Sequence, residues 1–157
     1  MSQPAPNTLR LDAEALYGGL LDGVRRLVTP DTALVGIWSG GAWLAERLSK
    51  SLDISALGFV DVSFYRDDYG SRGLKEEVRP SQMPFEVEGA SILLVDDVLF
   101  SGRTVRAAMD ALNDFGRPSK IQLAVLVDRG HRELPIKADF VGKHIPTRRN
   151  ERIKVSL

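Results

Sequence analysis

No cysteine occurs among the 157 residues, which removes disulfide staples and thiolate metal sites together. A chain of this length does not need them, because it buries about two thirds of its unfolded surface as one domain. Freedom from cysteine fits a reducing compartment. Long apolar runs are missing too, and the start, Met1 to Leu9, is polar and contains proline. The sequence therefore predicts neither a signal peptide nor a membrane span, and a soluble, cytoplasmic protein. There is no internal repeat and no low-complexity tract. Charge of one sign is not in excess, since 21 Lys+Arg balance 21 Asp+Glu. Composition as a whole thus makes no case for a nucleic-acid partner. Locally the balance shifts: Arg129 to Lys154 carries eight Lys or Arg against Glu133, Asp139 and Glu151. That basic quarter is either available for phosphates or a solvated face with a few ion pairs.

The most informative stretch is Ile92-Leu93-Leu94-Val95-Asp96-Asp97-Val98-Leu99-Phe100-Ser101-Gly102-Arg103-Thr104. Four apolar residues predict a buried strand, two adjacent carboxylates sit at its end, and a small hydroxyl-bearing turn leads into a helix. In an open α/β sheet, ligands collect beyond the carboxyl ends of the strands. Two ionised carboxylates are pure acceptors, suited to the vicinal hydroxyls of a ribose, directly or through Mg²⁺ and its waters. They cannot hold a phosphate. Ser101, Gly102, Arg103 and Thr104 can, through backbone N–H groups, two hydroxyls and a positive helix end. Acids that merely cap the next helix are the plainer alternative.

Periodicity places the rest. Leu11 to Val28 reads as a helix with Leu16, Leu20, Leu21, Val24 and Leu27 on its apolar face, weakened by Gly18 and Gly19. Ala33 to Trp38 predicts a strand, Ser39-Gly40-Gly41 a turn and Ala42 to Ser51 a helix. Leu57 to Tyr65 predicts a second strand. Residues 66–89 are charged and irregular, and such a long connection predicts a mobile loop over the site. Strand Ser91 to Val95, helix Thr104 to Phe115, strand Lys120 to Val127, and short strands at Phe140-Val141 and Ile153 to Val155 complete an α/β pattern. Alternating strands and helices imply a mainly parallel sheet with helices on both faces.

The thirteen-residue run closely resembles the phosphoribosyl-diphosphate (PRPP) signature of the type I phosphoribosyltransferases. The resemblance narrows further. Leu57–Arg66 with Asp67-Asp68, the extension Arg103-Thr104-Val105-Arg106, Gly116-Arg117-Pro118 and, above all, Leu126 to Pro135 resemble the PyrR family. Its members are pyrimidine-operon regulators that are also uracil phosphoribosyltransferases. The similarity runs from about Ala33 to Thr147, and Asp128–Pro135 is specific to that family. It implies the type I phosphoribosyltransferase fold, one domain over 1–157 with a small hood, and residues 1–10 are expected to be disordered.

The reaction implied is uracil plus PRPP to UMP and pyrophosphate, with Mg²⁺. By that resemblance Asp96 and Asp97 hold the ribose hydroxyls and the PRPP-bound Mg²⁺, and Val98, Leu99, Phe100, Ser101, Gly102, Arg103 and Thr104 hold the 5′-phosphate. Ser39, Gly40 and Gly41 meet the pyrophosphate, and Arg66 within Tyr65–Asp68 closes over it. Asp128 and Arg129 read uracil. His131 and His144 are expected to be polar loop residues rather than proton-transfer groups, and Trp38 and Trp43 either core or pocket wall. The family also implies a homodimer or higher homo-oligomer and a pyr mRNA leader as partner, with Arg132, Lys137 and Lys143 as its cations.

Two departures stand out. The family usually carries Arg where this chain has Gly40, and Lys where it has Trp38, which predicts weaker catalysis. The first helix offers Gly18, Gly19, Asp22 and Gly23 where RNA-binding cations would serve. Two other readings stay open at this stage: an RNA-binding attenuator that senses UMP or PRPP with little catalysis, and a phosphoribosyltransferase for another base.

Overall fold

A computed structural model of the chain describes residues 8–63 and 81–156. Five parallel strands form the main sheet in the order β3-β2-β4-β5-β6, where β2 is Thr32–Ile37, β3 Leu57–Val60, β4 Ser91–Leu99, β5 Lys120–Asp128 and β6 Phe140–His144. All six residues of β2 are buried. Strands covered on both faces need apolar side chains in both directions, which is why β2, β4 and β5 read as unbroken Val, Leu and Ile runs rather than alternating ones.

Successive side chains feed two cores. One face carries Leu34, Leu93, Val95, Ala124 and Leu126 against helix α1 (Ala13–Leu27) and helix α2 (Gly40–Leu52), through Tyr17, Leu20, Val24, Leu44 and Leu48. The other carries Val35, Ile37, Ile92, Leu94, Leu123 and Val125 against helix α3 (Arg103–Asn113), through Val105, Ala108 and Leu112. The doubly covered α/β layer expected from the sequence is the observed architecture. Among the described residues, no helix is long and apolar enough to cross a membrane.

Four segments differ from their sequence expectation. Thr8–Asp12 form strand β1, not a loose start, and pair in parallel with β7 (Arg152–Ser156). The partner is more than a hundred residues away, and Leu11, Ile153 and Val155 pack on the α1 side of the core. Asp12 then caps α1 by accepting the Glu14 N–H at 2.9 Å. Strand β3 stops at Val60 because the Asp61 carboxylate accepts from the N–H and the hydroxyl of Ser63, an Asx-type turn that competes with the ladder. Strand β4 runs past Val95, through both acids to Leu99, because Asp96, Val98 and Leu99 find register partners in Val125, Val127 and Asp128. Finally, 81–89 is fold rather than mobile loop. Gln82 exchanges two 2.8 Å backbone bonds with Phe59, Val87 is buried, and Met83 and Phe85 lie on the core. Residues 66–80 of that expected loop lie outside the described residues.

Helix α2 starts in an unusually tight place, directly after a cis Trp38–Ser39 peptide. A Cβ on Gly36 would lie 2.5 Å from the Gly41 carbonyl oxygen and 2.6 Å from Ala42 Cα. One on Gly41 would lie 2.3 Å from the Val95 carbonyl oxygen. The first turn of α2 therefore rests on the backbone of β2 and β4 with no side chain between. Gly36→Ala should destabilise the protein by about 2 kcal/mol through overpacking, read as a lower midpoint in thermal or denaturant unfolding; an unchanged midpoint would contradict this packing.

Candidate active site

The strand order places a reversal between β2 and β4. From β2 the chain crosses by α2 to β3 on one side, and from β4 it crosses by α3 to β5 on the other. The two connections diverge on opposite faces and leave a crevice beyond the carboxyl ends of the two central strands, where open α/β sheets bind ligands. Two helix N-termini open onto it. Neither α2 nor α3 has an acidic residue in its first turn, and neither Ser39 nor Gly102 makes a side-chain cap hydrogen bond. The N–H groups that open α2 are left for an anion, while at α3 the Ser101 hydroxyl oxygen accepts the Arg103 N–H and the N–H groups after it are left. Gly102 sits at φ +94°, a conformation that glycine alone adopts cheaply, and a Cβ there would meet Ile136 at 3.0 Å.

Between these turns lie the two acids. Asp96 is buried, and its Oδ1 accepts the Asp97 N–H at 2.9 Å; Asp97 is half-exposed, and its Oδ1 accepts the Val98 N–H at 2.8 Å. The other Asp97 oxygen lies beside Gly40, so residues from two separate sequence motifs meet there. Ser101 is buried with its Oγ accepting the Arg103 N–H at 3.2 Å, and Leu99 is core. Ser39 is exposed and Thr104 half-buried. Arg103 points outward to Glu133, Nε to Oε1 at 2.9 Å, and Arg149 pairs with the same carboxylate. The Arg103 hydrogen bond, aided by Arg149, holds the Glu133 carboxyl below its usual range.

The connection after β5 is stitched to the phosphate turn. The carbonyls of Leu99, Phe100 and Ser101 accept from the Arg129 N–H at 3.1 Å, from Arg132 Nη1 at 2.7 Å, and from the Glu133 and Leu134 N–H groups at 2.9 and 3.1 Å. A cleft of about 300 Å³ lies alongside, lined by Asp128 to Arg132, His144 and Pro146. Two of the expected site residues have partners within the chain. Arg129, expected to read uracil, is buried with its guanidinium 4.1 Å over the Phe100 ring. It donates to Thr147 Oγ1 at 3.1 Å and to the carbonyls of Arg148, Arg149 and Glu151, so it ties down 147–151. Arg132, expected to face RNA, instead makes a 2.6 Å ion pair with Asp128 and donates to the Ile136 carbonyl at 2.9 Å. Lys137 and Lys143 are exposed. His131 donates from Nε2 to the Thr147 carbonyl at 2.6 Å, a loop-holding contact. Arg66 lies outside the described residues.

The Asp128–Arg132 pair joins the end of β5 to the loop that follows it, where no helical spacing marks it in the sequence. Burial raises the Asp128 pKa, but the Arg132 hydrogen bonds, the Gly130 N–H and the charge of His144 outweigh it and hold the carboxyl below its ordinary 3.8. The stability it contributes is complete above that value and is lost as pH falls through the lower, native one. Asp128→Asn leaves a half-buried guanidinium without its carboxylate and should cost about 3 kcal/mol at neutral pH. In unfolding curves that deficit should shrink below about pH 4, where wild type loses the same contribution; a deficit independent of pH would contradict the pairing.

Residues 18–154 match the phosphoribosyl transferase domain. The bifunctional protein PyrR of Roseiflexus sp. strain RS-1 is 55% identical over 132 residues, covering 81% of this chain and 72% of that protein. That of Nitrosococcus oceani is 44% identical over 163 residues, covering 99% and 91%. Among solved structures, the purine phosphoribosyltransferase of Pyrococcus horikoshii superposes with a TM-score of 0.68 at 21% identity, over 95% of this chain and 92% of that one. That likeness concerns the fold, which is that of the phosphoribosyltransferases. With the two opposed helix termini and the acids between them, these matches show that the chain belongs to the phosphoribosyl transferase domain family and, within it, to the bifunctional PyrR proteins.

Proposed function

We propose that this chain transfers the phosphoribosyl group of PRPP to uracil, giving UMP and pyrophosphate. The observation that carries the reading is the pair of helix N-termini with no acid in their first turns, facing one crevice with adjacent carboxylates between them. PRPP needs that arrangement: two separate phosphate groups on opposite ends of a ribose, and acceptors for its hydroxyls. The turn 98–104 takes the 5′-phosphate, 39–41 the pyrophosphate, and Asp96 with Asp97 the 2′- and 3′-hydroxyls. The cleft beside Asp128 is of a size to admit a pyrimidine ring.

In the reaction the uracil N1–C1′ bond forms as the C1′–O bond to pyrophosphate breaks, the electron pair leaving with pyrophosphate and the N1 proton passing to solvent. Holding the two partners in line and stabilising the leaving anion account for the protein's share. Arg66 belongs to this proposal as the cation that closes over the pyrophosphate. Among the described residues no three His, Asp or Glu side chains gather as a metal site. That donor set suits Mg²⁺ all the same, since the ion is commonly held by one or two carboxylates plus phosphate oxygens and water. Asp96 and Asp97 would hold it with PRPP, where it would neutralise charge developing on the departing pyrophosphate.

Asp97→Asn should lower kcat/KM for UMP formation about a hundredfold while the protein still folds, because a neutral amide loses the charge-assisted grip on the ribose. Wild-type rates in that variant, or no UMP from uracil, PRPP and Mg²⁺ with wild type, would overturn the reading. Competition among uracil, hypoxanthine and guanine decides the base.

A second activity, binding of a pyr mRNA leader, is favoured by the exposed cations Lys137, Lys143, Arg148, Arg152 and Lys154. With Arg132 engaged by Asp128 and the Phe100 carbonyl, fewer phosphates are neutralised. The expected signature is binding whose log affinity falls with log salt with a shallow slope, about 0.7 per phosphate contact on single strands. The homodimer is part of the same proposal.

A further inference from the structure

Gly40 presents no side chain beside Asp97, and the geometry gives that empty space a consequence for the acid. A Cβ built on Gly40 would lie 2.2 Å from Asp97 Oδ2, 2.5 Å from its Cγ and 3.0 Å from its Cβ. These distances are well inside van der Waals contact, so any side chain at 40 forces something to move. The helix cannot yield. Its first turn is pressed against Gly36 on β2, and through Gly41 against the Val95 carbonyl and, at 2.9 Å, Asp96 Cα on β4. Asp97 must yield, and it is held by the Val98 N–H at 2.8 Å.

We infer that Gly40 is a positioning residue for Asp97: the empty space at 40 sets where the Asp97 carboxylate points, and thereby how the ribose hydroxyls are gripped. This rests on the reading of the crevice as a UMP and PRPP site. It gives position 40 two coupled effects, since a side chain there alters both the turn facing the pyrophosphate and an acid on the neighbouring strand. It also means that, on this backbone, a side chain at 40 and the observed placement of Asp97 exclude one another.

UMP separates this from a contact made only with pyrophosphate, because UMP carries none. UMP binding with Mg²⁺ is measured by calorimetry on wild type, Gly40→Ala, Asp97→Ala and the double variant, with melting curves on all four. Gly40→Ala should weaken UMP binding about tenfold when Asp97 is present and less than twofold when it is alanine, the non-additivity of directly touching residues. Any loss of melting temperature in Gly40→Ala should likewise be recovered in the double variant, so poor folding of the single variant still reports the coupling. Equal losses in both backgrounds, or none in either, would overturn the inference. A crystal structure of Gly40→Ala provides a readout independent of ligand. A displaced Asp97 carboxylate that has lost the Val98 N–H supports the inference, and an unmoved one refutes it. Should wild type fail to bind UMP, the functional reading falls, and the crystal structure alone decides the positioning role.

Discussion

Helix α2 starts against backbone. With no side chains at 36 and 41, its first turn sits directly on β2 and β4, and this close approach is the constraint from which the rest of the crevice follows. A helix N-terminus holds an anion only while its N–H groups keep one direction, and contact with two paired strands fixes that direction more firmly than flexible side chains could. The same approach brings the 39–41 turn beside Asp97, so the groups proposed for pyrophosphate and ribose share a boundary. The phosphate turn is fixed in a different way. Its carbonyls at 99, 100 and 101 are claimed by the 129–134 segment, which commits the backbone orientation of the loop before any ligand arrives.

Much of the charge in the basic C-terminal quarter has structural work. Arg129, its guanidinium over the Phe100 ring, gathers 147–151, and Arg132 joins Asp128 to the phosphate turn. Arg103 and Arg149 converge on Glu133. These contacts draw the end of the chain towards the crevice and lead it into β7, where it pairs with β1. A count of cations in this region therefore overstates the positive surface open to a polyanion, and the exposed remainder lies at Lys137, Lys143, Arg148, Arg152 and Lys154.

Several elements were legible because one local signal sufficed. The runs of β2, β4 and β5 have few alternatives to a doubly covered parallel strand, and α3 closes at Asn113, with Asp114 as its C-cap, shortly before Gly116-Arg117-Pro118. The segments ending at Thr104 and at Gly41 could each be marked as strand-to-helix connections, and both are, although β4 runs on to Leu99 and α2 already starts at Gly40. Three of the four differences share a cause. Thr8–Asp12 carries no strand signal without Ile153 and Val155 to pack beside; β4 continues through two carboxylates because β5 offers register partners; 81–89 looks irregular until Val87 is seen buried. In each case the deciding contact lies far away in the chain.

Local chemistry in the sequence determined which groups are present and in what order: apolar strands, a carboxylate pair, two small turns opening helices, and a family-specific segment after β5. Tertiary structure alone decided how they face one another. That Gly40 borders Asp97, that Arg129 and Arg132 turn inward, and that the two helix termini share one crevice depend on strand order and on backbone approaches shorter than any side chain allows. A linear pattern carries residue type and period, but the distance between residues 57 apart becomes a physical quantity only when β2 and β4 pair.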